Sequence, residues 1–325
     1  MNLLILSAGT RCQLINYCKK VENGFDRVVA TDCSMYAPAI YMADNYYIVP
    51  KMKKKEYIPT LFNICIRENI KVILPLQEDE LEIIAQNREI FEKIGIFVCV
   101  SPLGTVKICR DKYLFYKKLK SVDVQCVETY DYETEREKIE NLTLPLIMKE
   151  RNGCGSIGNL VIKYLPMLEC CAKNSEEKLI VQPYMEVQEF GVDVYVDFFS
   201  GEIISIFAKE KLRMRAGETE KSKSVKDEKL FELVKTIVEK LEFSGPIDID
   251  ILKCKDQYYV LEINPRFGGG YPHAYECGVN FIKYIVLNAM GKKLMPEIGC
   301  YKEDEVMLKY TDAMVMSKSK MELND

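Results

Sequence analysis

The residues with the clearest chemical meaning lie on two runs of alternating polar and apolar residues, joined by a turn at residues 255–257. Asp250 lies on the first run, and Glu262 and Asn264 lie on the second. Successive side chains of a strand point to opposite faces, so a hairpin symmetric about Asp256 places Asp250 opposite Glu262. The same register pairs Asp248 with Asn264, Leu252 with Val260 and Cys254 with Tyr258. The residues that this register places on the core face are Ile249, Ile251, Leu261 and Ile263.

Two opposed carboxylates repel each other unless something compensates their charge. Two carboxylates and one amide are the hard oxygen ligands that Mg²⁺ takes, usually together with substrate phosphates, and Mn²⁺ accepts similar ligands. The pattern therefore predicts a metal site at Asp250, Glu262 and Asn264. The alternative is a solvent-facing sheet whose polar residues merely alternate with apolar ones, and a register slip of one residue would remove the site.

A glycine-rich turn, residues 151–158, follows an apolar strand that ends at Lys149. Glycines free backbone N–H groups to approach anionic oxygens, and the Lys149 ammonium lies beside them. No Gly-Lys-Ser/Thr follows, so the turn is not a Walker A loop. A plain hairpin turn is the alternative interpretation.

A third segment, residues 180–189, passes from an apolar strand into a connection bounded by Pro183. Its backbone amides could read an adenine edge, and Glu189 could accept hydrogen bonds from ribose hydroxyls. Taken alone, the segment would be an ordinary loop.

Apolar strands alternate with helices through the first hundred residues, which predicts a parallel sheet with crossover helices. Helices are expected up to Lys20 and from Glu78 to Lys93, and the strands are Leu3–Leu6, Arg27–Thr31, Val72–Pro75 and Gly95–Val100. Ligands collect at the carboxyl ends of such strands, so we expect a substrate crevice bordered by Thr10, Asp32 and Glu78. The first turn lacks the Gly-x-Gly-x-x-Gly fingerprint, which disfavours a Rossmann oxidoreductase.

The second half of the chain reads as hairpins and helices. A hairpin with its turn at residues 200–201 precedes residues 209–226, a polar stretch with seven Lys or Arg residues that is predicted to be a loop. Apolar residues on one face predict a helix over residues 228–241. A further helix is expected over residues 280–290, and the residues after Ser317 are expected to fray.

The composition excludes several classes of protein. A formal net charge of −4, from 45 basic and 49 acidic residues, disfavours general binding to nucleic acid or to an anionic membrane. The N-terminal apolar run is too short for a signal peptide, so we expect a cytoplasmic protein. Thirteen scattered cysteines without a Cys-x-x-Cys pair indicate reduced thiols. A single histidine, His273, excludes multi-histidine metal sites, and a lone histidine is more often structural than catalytic.

The order and spacing of the three segments resemble the ATP-grasp superfamily, and within it the group of carbamoyl-phosphate-synthase large subunits. The most specific string is residues 261–266, which matches the family motif Glu-x-Asn-Pro-Arg, with Asp250 twelve residues before Glu262. The resemblance covers residues 1 to 300 and implies an α/β (α+β) protein. A parallel-sheet pre-ATP-grasp domain would span residues 1–105, an ATP-grasp small lobe 106–185, a large lobe 186–310 and a tail 311–325.

The resemblance also implies roles for individual residues. Phosphate contacts would come from Lys112 and Lys149, and adenosine contacts from Gln182, Met185 and Glu189. A flexible lid would contain Gly153, Gly155, Ser156 and Gly158. Arg266 would stabilise the transferring group. Lys209, Arg213 and Arg215 compete for one further cationic position, and we favour Lys209 and Arg215.

The function implied is an ATP-dependent carboxylate–amine ligase that uses Mg²⁺, forms an acyl phosphate and releases ADP and phosphate. Its partners would be a small carboxylate and an amine, and a homodimer is the default assembly. The chain has one ATP-grasp unit and no glutaminase portion, so it departs from a full carbamoyl phosphate synthetase. The alternatives are an enzyme that uses bicarbonate or carbamate, and a nucleotide-binding module without turnover.

Overall fold

The computed structural model describes residues 1–153, 155 and 158–321. Within these residues the chain forms three sheets, which have five, four and six strands in order along the chain. Of the predicted site residues, Ser156 lies outside the described residues. The predicted mixed α/β class with an N-terminal parallel sheet is confirmed.

The five-stranded sheet is parallel throughout. Its strands lie in the spatial order β3-β2-β1-β4-β5, and their bounds are β1 Asn2–Leu6, β2 Arg27–Asp32, β3 Asn45–Ile48, β4 Ile70–Pro75 and β5 Phe97–Val98. The last strand is shorter than the predicted run Gly95–Val100. The sheet places the turns after β1 and β4 at one edge, where α/β sheets bind ligands.

Helices cover both faces of this sheet, since its strands are apolar on both sides. One face packs on α1 (Cys12–Lys20), and the other packs on α2 (Tyr57–Arg67), α3 (Glu78–Gln86) and α4 (Arg88–Glu92). The single helix expected over residues 78–93 is divided at Asn87, whose side chain donates a hydrogen bond to the carbonyl of Ile83. A 3₁₀ helix, Pro38–Met42, lies between β2 and β3.

The four-stranded sheet is antiparallel and follows α5 (Leu103–Arg110) and α6 (Lys112–Ser121). Its spatial order is β6-β9-β7-β8, with bounds β6 Tyr130–Asp131, β7 Leu146–Glu150, β8 Leu160–Ile162 and β9 Leu179–Pro183. Its apolar face packs on α7 (Arg136–Glu140) and α8 (Leu165–Lys173). Asp111 caps α6 by accepting hydrogen bonds from the amides of Tyr113 and Leu114, which fixes where Lys112 begins the helix.

The six-stranded sheet is antiparallel, with the spatial order β14-β13-β10-β11-β12-β15. Its bounds are β10 Gln188–Val196, β11 Ile203–Arg215, β12 Glu218–Val225, β13 Gly245–Cys254, β14 Gln257–Asn264 and β15 Val306–Leu308. The prediction of a loop over residues 209–226 is wrong, because β11 and β12 pair as a hairpin there. The buried residues of β12 are Thr219, Ser222 and Ser224, so the apolar alternation that marks a strand is absent.

The two faces of this sheet differ along its length. One face packs on α9 (Glu228–Lys240) and α6, and the opposite face packs on α10 (Tyr271–Glu276) and α11 (Phe281–Ala289) near the β10–β11 turn. The rest of that second face carries charged residues and borders the cavity described below. A short helix, α12 (Lys318–Met321), ends the described chain. Every helix in the described ranges is too short or too polar to span a bilayer.

Candidate active site

The hairpin of β13 and β14 brings the predicted metal ligands together. Asp250 pairs with Glu262, and Asp248 pairs with Asn264, as the alternation predicted. The symmetric turn is wrong, however, because Cys254 pairs with Gln257 and Leu252 pairs with Tyr259. A bulge on β14 absorbs the difference before Glu262.

The bulge also changes which side chains reach the core. Val260 is buried against the core of α9, together with Ile249, Ile251 and Ile263. Leu261, which was expected in the core, instead lines the cavity above the sheet. The bulge therefore restores the acidic pair to one face while it turns an apolar residue toward the cavity.

Lys211 compensates the opposed carboxylates. Its Nζ donates to Asp250 Oδ1 at 2.6 Å and to Glu189 Oε1 at 2.7 Å, and its side chain is 4% exposed. Burial and the neighbouring carboxylates raise the pKa of Asp250 to about 7, and Lys211 opposes that rise. Burial alone would lower the pKa of Lys211, but Asp250 and Glu189 outweigh it, so that pKa is raised and the lysine stays charged.

A cavity of about 590 Å³ lies over this face of the sheet and is closed on its other side by β7 and β9. The predicted site residues that line it are Lys112, Lys149, Gly153, Gly155, Gln182, Met185, Glu189, Asp250, Glu262, Asn264 and Arg266. These residues are separated by up to 154 positions in the chain, and the fold brings them together around one cavity.

The wall opposite the carboxylates is basic. Lys149 is buried on β7, and burial lowers its pKa, while the charge of Glu262 is the strongest influence that opposes this shift. Lys112 begins α6 and donates through Nζ to the carbonyl of Gly153 in the glycine-rich turn. Two ammonium groups thus face two carboxylates across the cavity, which is an arrangement that neutralises a polyphosphate and its cation together.

The part of the cavity beside β9 contains one buried polar atom that is unsatisfied in the described structure, on Gln182. Gln182 is 3% exposed, and its Nε2 donates to Thr129 Oγ1 at 2.8 Å. Its Oε1 is buried without a hydrogen-bond partner in the described part of the chain. A buried amide oxygen in this state carries a free-energy cost unless a ligand donates to it, and an exocyclic amino group would do so.

Arg266 also lines the cavity and links the N-terminal part of the chain to the six-stranded sheet. Its guanidinium donates to Glu78 Oε1 at 2.6 Å and to Asp248 Oδ2 at 3.0 Å. Burial would lower the pKa of Arg266, but the two carboxylates outweigh it and raise that pKa. Of the predicted crevice residues, Glu78 therefore reaches this cavity, whereas Thr10 lines a neighbouring one.

The structure does not bring the two favoured basic residues, Lys209 and Arg215, to the cavity lining. Lys209 is 1% exposed and donates to Asp193, which is also buried, and Arg215 is exposed and pairs with Glu220 at 3.3 Å. The basic residue of this stretch that lines the cavity in the described structure is Lys211. If the segment had been predicted as a strand, its alternation would have placed Lys211 on the same face as Lys209. Because a loop was predicted instead, Lys211 was not identified as a candidate.

The predicted lid residue Gly158 and the single histidine, His273, lie apart from the cavity lining. Gly158 adopts a positive φ of 74° beside Glu150. His273 is buried between the Ser222 hydroxyl at 2.8 Å and the carbonyl of Glu305 at 3.1 Å. Burial lowers the pKa of His273 to about 4, so its ring is neutral at neutral pH and packs as a structural group.

The three consecutive glycines at 268–270 allow the backbone to approach the charged side chains of the protein itself. A Cβ on Gly268 would lie 2.5 Å from the Asp248 carboxylate carbon, and one on Gly270 would lie 2.7 Å from Lys209 Cε. A Cβ on Gly269 would lie 3.1 Å from Arg11 Nη1. The glycines therefore let Asp248, Lys209 and Arg11 pack directly beneath the cavity rim.

The donor set of Asp250, Glu262 and Asn264 fits a hard divalent cation. All three supply oxygen ligands, and Asp250 already binds a cation, the Lys211 ammonium. Among the described residues, no group of three His, Cys, Asp or Glu side chains is arranged to hold a metal by itself. Mg²⁺ would thus need substrate phosphates to complete its coordination, which is its usual mode of binding.

Comparisons with known proteins agree with this arrangement. Residues 3–99 match the family described as PylC-like, N-terminal domain, and residues 109–270 match the ATP-grasp domain. A curated relative, phosphoribosylamine–glycine ligase of Helicobacter pylori strain J99, is 26% identical over 144 residues. That match covers 43% of this chain and 34% of the relative, so it spans about a third of the relative's length.

Solved structures share the fold over most of the chain. N5-carboxyaminoimidazole synthetase from Staphylococcus aureus, complexed with ADP, has a TM-score of 0.74 and 19% identity over 91% of this chain and 78% of that one. The biotin carboxylase domain dimer of Hydrogenobacter thermophilus 2-oxoglutarate carboxylase contains MgADP, ADP and bicarbonate. It has a TM-score of 0.75 and 17% identity over 94% of this chain and 73% of that one.

Proposed function

This chain belongs to the ATP-grasp superfamily, and we propose that it is an ATP-dependent ligase that joins a carboxylate to an amine through an acyl phosphate. The observation that carries the proposal is the single cavity in which Lys112 and Lys149 face Asp250, Glu262 and Asn264. The match to a phosphoribosylamine–glycine ligase supports carbon–nitrogen bond formation. Placement near carbamoyl-phosphate-synthase large subunits stays a prediction.

ATP would lie along the length of this cavity. Gln182 Oε1, which has no partner in the described structure, would accept from the adenine amino group. Met185 and Glu189 line the same cavity and would border the ring and the ribose, respectively. Lys112 and Lys149 would bind the phosphates from the β7 side. Gly153 and Gly155 line the same region, which would bring backbone N–H groups close to the phosphates.

Asp250, Glu262 and Asn264 would hold Mg²⁺, which would supply neutralisation of phosphate charge when bound. Lys211 would partly release Asp250 and move its charge toward the phosphates, so we assign to Lys211 the cationic role predicted for Lys209 and Arg215. Arg266, held by Glu78 and Asp248, would stabilise the transferring phosphoryl group.

The proposed reaction has two steps. A carboxylate oxygen of the acid attacks the γ-phosphorus, the bond from that phosphorus to the bridging oxygen breaks, and ADP leaves. The amine nitrogen then attacks the acyl carbon, inorganic phosphate leaves, and the nitrogen loses a proton to solvent. Both ATP and the acid are anions, so the basic wall must neutralise them before they can approach each other.

The proposal is tested by product analysis. The protein is incubated with Mg-ATP, pooled amino acids and small carboxylates, and hydroxylamine as a trap. We expect ADP together with a hydroxamate, and separation of the pool then identifies the acid. AMP with pyrophosphate would refute the acyl-phosphate mechanism. ADP release that depends on bicarbonate alone would favour the carboxylase alternative, and tight nucleotide binding without any product would favour a binding module.

Two further expectations accompany this proposal. The domain limits 1–105, 106–185, 186–310 and 311–325 are proposed as units of folding, and a homodimer is proposed as the assembly. The biotin carboxylase domain of the H. thermophilus enzyme is described as a dimer. Limited proteolysis and light scattering of the purified chain test the two expectations separately.

A further inference from the structure

A second cavity of about 750 Å³ adjoins the first, and the two share three lining residues, Arg11, Glu218 and Gly269. It lies at the carboxyl edge of the parallel sheet, between the start of α1, residues 267–272 and the chain at 309–314. The ATP site proposed above does not use this volume. Its junction with the first cavity lies beside Arg266, where the transferring phosphoryl group is proposed to lie.

Arg11 occupies the junction and is incompletely neutralised. Its Nη2 lies 3.7 Å from Glu218 Oε1, and Glu218 is also bound by Lys309. Arg266, by contrast, has two short ion pairs, with Glu78 and Asp248. Burial and the nearby Arg266 charge lower the pKa of Arg11 because both disfavour the charged guanidinium. An anion placed beside Arg11 would offset the desolvation of that charge and its repulsion from Arg266.

The N-terminus of α1 adds positive potential to the same place. The nine-residue helix begins directly after Arg11, has no side-chain cap and has no acidic residue in its first turn. Gln13 and Leu14 of that turn line the second cavity. The partial positive charge of a helix N-terminus favours an anion, and carboxylates bind there readily.

Beyond the junction the second cavity is lined largely by apolar and aromatic side chains. Tyr17 comes from α1 and Phe267 and Tyr271 from residues 267–272, and Met42 and Met314 also line the cavity. Lys309 and Glu218 neutralise each other at its rim. A ligand that fits would have an anionic head at Arg11 and an apolar body, and bicarbonate has no such body.

We infer that Arg11 binds the carboxylate of the organic acid substrate, whose apolar body occupies the second cavity. This inference rests on the proposed ligase function for the chemistry that follows, but binding of the acid can be measured without turnover. It narrows the substrate class to carboxylic acids with an extended apolar or aromatic remainder. Arg11 would thus hold the carboxylate next to Arg266, where the γ-phosphate is proposed to lie.

The test compares Arg11→Gln with a matched control, Arg27→Gln. Arg27 belongs to the same parallel-sheet domain, has one ion pair, with Glu68 at 3.1 Å, and begins β2 at the opposite edge of the sheet. Binding of 3-phenylpropanoate, hexanoate, acetate and 3-phenylpropanamide is measured by titration calorimetry on the full chain. We expect the two longer acids to bind most tightly, and Arg11→Gln to weaken them about tenfold or more.

Arg27→Gln should bind both longer acids as the unchanged protein does, and the uncharged amide should bind weakly to all three proteins. Hydroxamate assays should show a raised KM for the acid in Arg11→Gln with the KM for ATP unchanged. Equal binding of acetate and the longer acids, unaltered binding by Arg11→Gln, or no binding of any acid would each overturn the inference.

The two proposals can fail separately. Binding that depends on Arg11 without any hydroxamate or ADP would support the carboxylate site and refute the ligase function. Hydroxamate formation with the same KM for the acid in Arg11→Gln would support the ligase function and refute the role of Arg11.

Discussion

The two walls of the first cavity, where ATP is proposed to bind, are built differently. The wall formed by β10, β11 and the β13–β14 hairpin holds buried charges that are paired within the sheet, such as Lys211 with Asp250 and Glu189. The wall formed by β7 and the glycine-rich turn is held by Lys112, by Arg151 and by a contact between Gly155 and the β11–β12 turn at Gly217. The first wall fixes where charges lie, and the second controls how closely the backbone approaches a ligand.

The comparison predicts the largest effect where a buried charge of the first wall loses its partner. Lys209→Met leaves Asp193 buried and unpaired, and such changes cost about 3–5 kcal/mol of folding free energy. Urea titration measures the free energy of unfolding. The double variant Lys209→Met with Asp193→Leu should recover much of it, and Lys235→Met, at an exposed pair with Glu232, should change it little.

This variant also decides the role of Lys209. A protein with unchanged stability but lost ADP formation would show that Lys209 acts on substrate, as the family resemblance implied. Loss of stability with restoration in the double variant would identify the Lys209–Asp193 pair as structural support for the wall.

The next largest effect is expected at the proposed metal ligands of the same wall. Glu262→Gln should lower kcat/KM for ADP formation about a hundredfold, because it removes one carboxylate, while Asn264→Ala should lower it about tenfold. Within the described residues, Glu262 accepts one long hydrogen bond, from Asn264 at 3.5 Å, so the melting temperature should change little. Asp256→Asn, at the exposed hairpin turn, is the control. Unchanged turnover in both variants would refute the metal assignment.

For the first wall, the sequence predicted which carboxylates lie opposite each other, but it did not predict the lysine that pairs with one of them. The opposition of Asp250 and Glu262 followed from a period of two, and it survived an error in the turn because the bulge at Leu261 restored the register. Lys211 was missed for a physical reason. The outer parts of β11 and β12 bury Lys, Thr and Ser rather than apolar residues, and the partners of Lys211 are at positions 189 and 250. Pairing between distant strands leaves no local pattern to recognise.

The second cavity illustrates the same limit. Thr10 was expected at a crevice because it follows the first strand. The proposed role of Arg11, by contrast, depends on its interactions with Glu218 and Arg266, which are distant in the sequence. The sequence shows three consecutive glycines at 268–270, which permit a close approach of the backbone. The fold shows that the groups approached include the side chains of Asp248, Arg11 and Lys209, which no spacing rule could identify.

The second wall is tested by a smaller change at the β11–β12 turn. A Cβ on Gly217 would overlap the backbone of Gly155, so Gly217→Ala should displace the glycine-rich turn and raise the KM for ATP about tenfold. Gly201→Ala is a matched control. Gly201 also has a positive φ, 69° against 76°, but no atom of the described residues would lie within 4 Å of its Cβ. Both variants should lose about 1 kcal/mol of stability from the backbone strain. Equal KM values in the two variants would contradict the contact.

The smallest effect is expected at the base of the second wall. Arg151 pairs with Asp111 at 2.8 Å and Asp131 at 3.0 Å, and its carbonyl accepts from the amide of Lys112 at 3.1 Å. Arg151→Gln should loosen the position of Lys112 and raise the KM for ATP about threefold, since a partly exposed pair contributes about 0.5–1 kcal/mol. Arg136→Gln, at an exposed pair with Glu169 in the same sheet region, should leave KM unchanged. A loss as large as that of Glu262→Gln would mean that Arg151 contacts the nucleotide directly. Both walls would then hold charged side chains in position for the ligand.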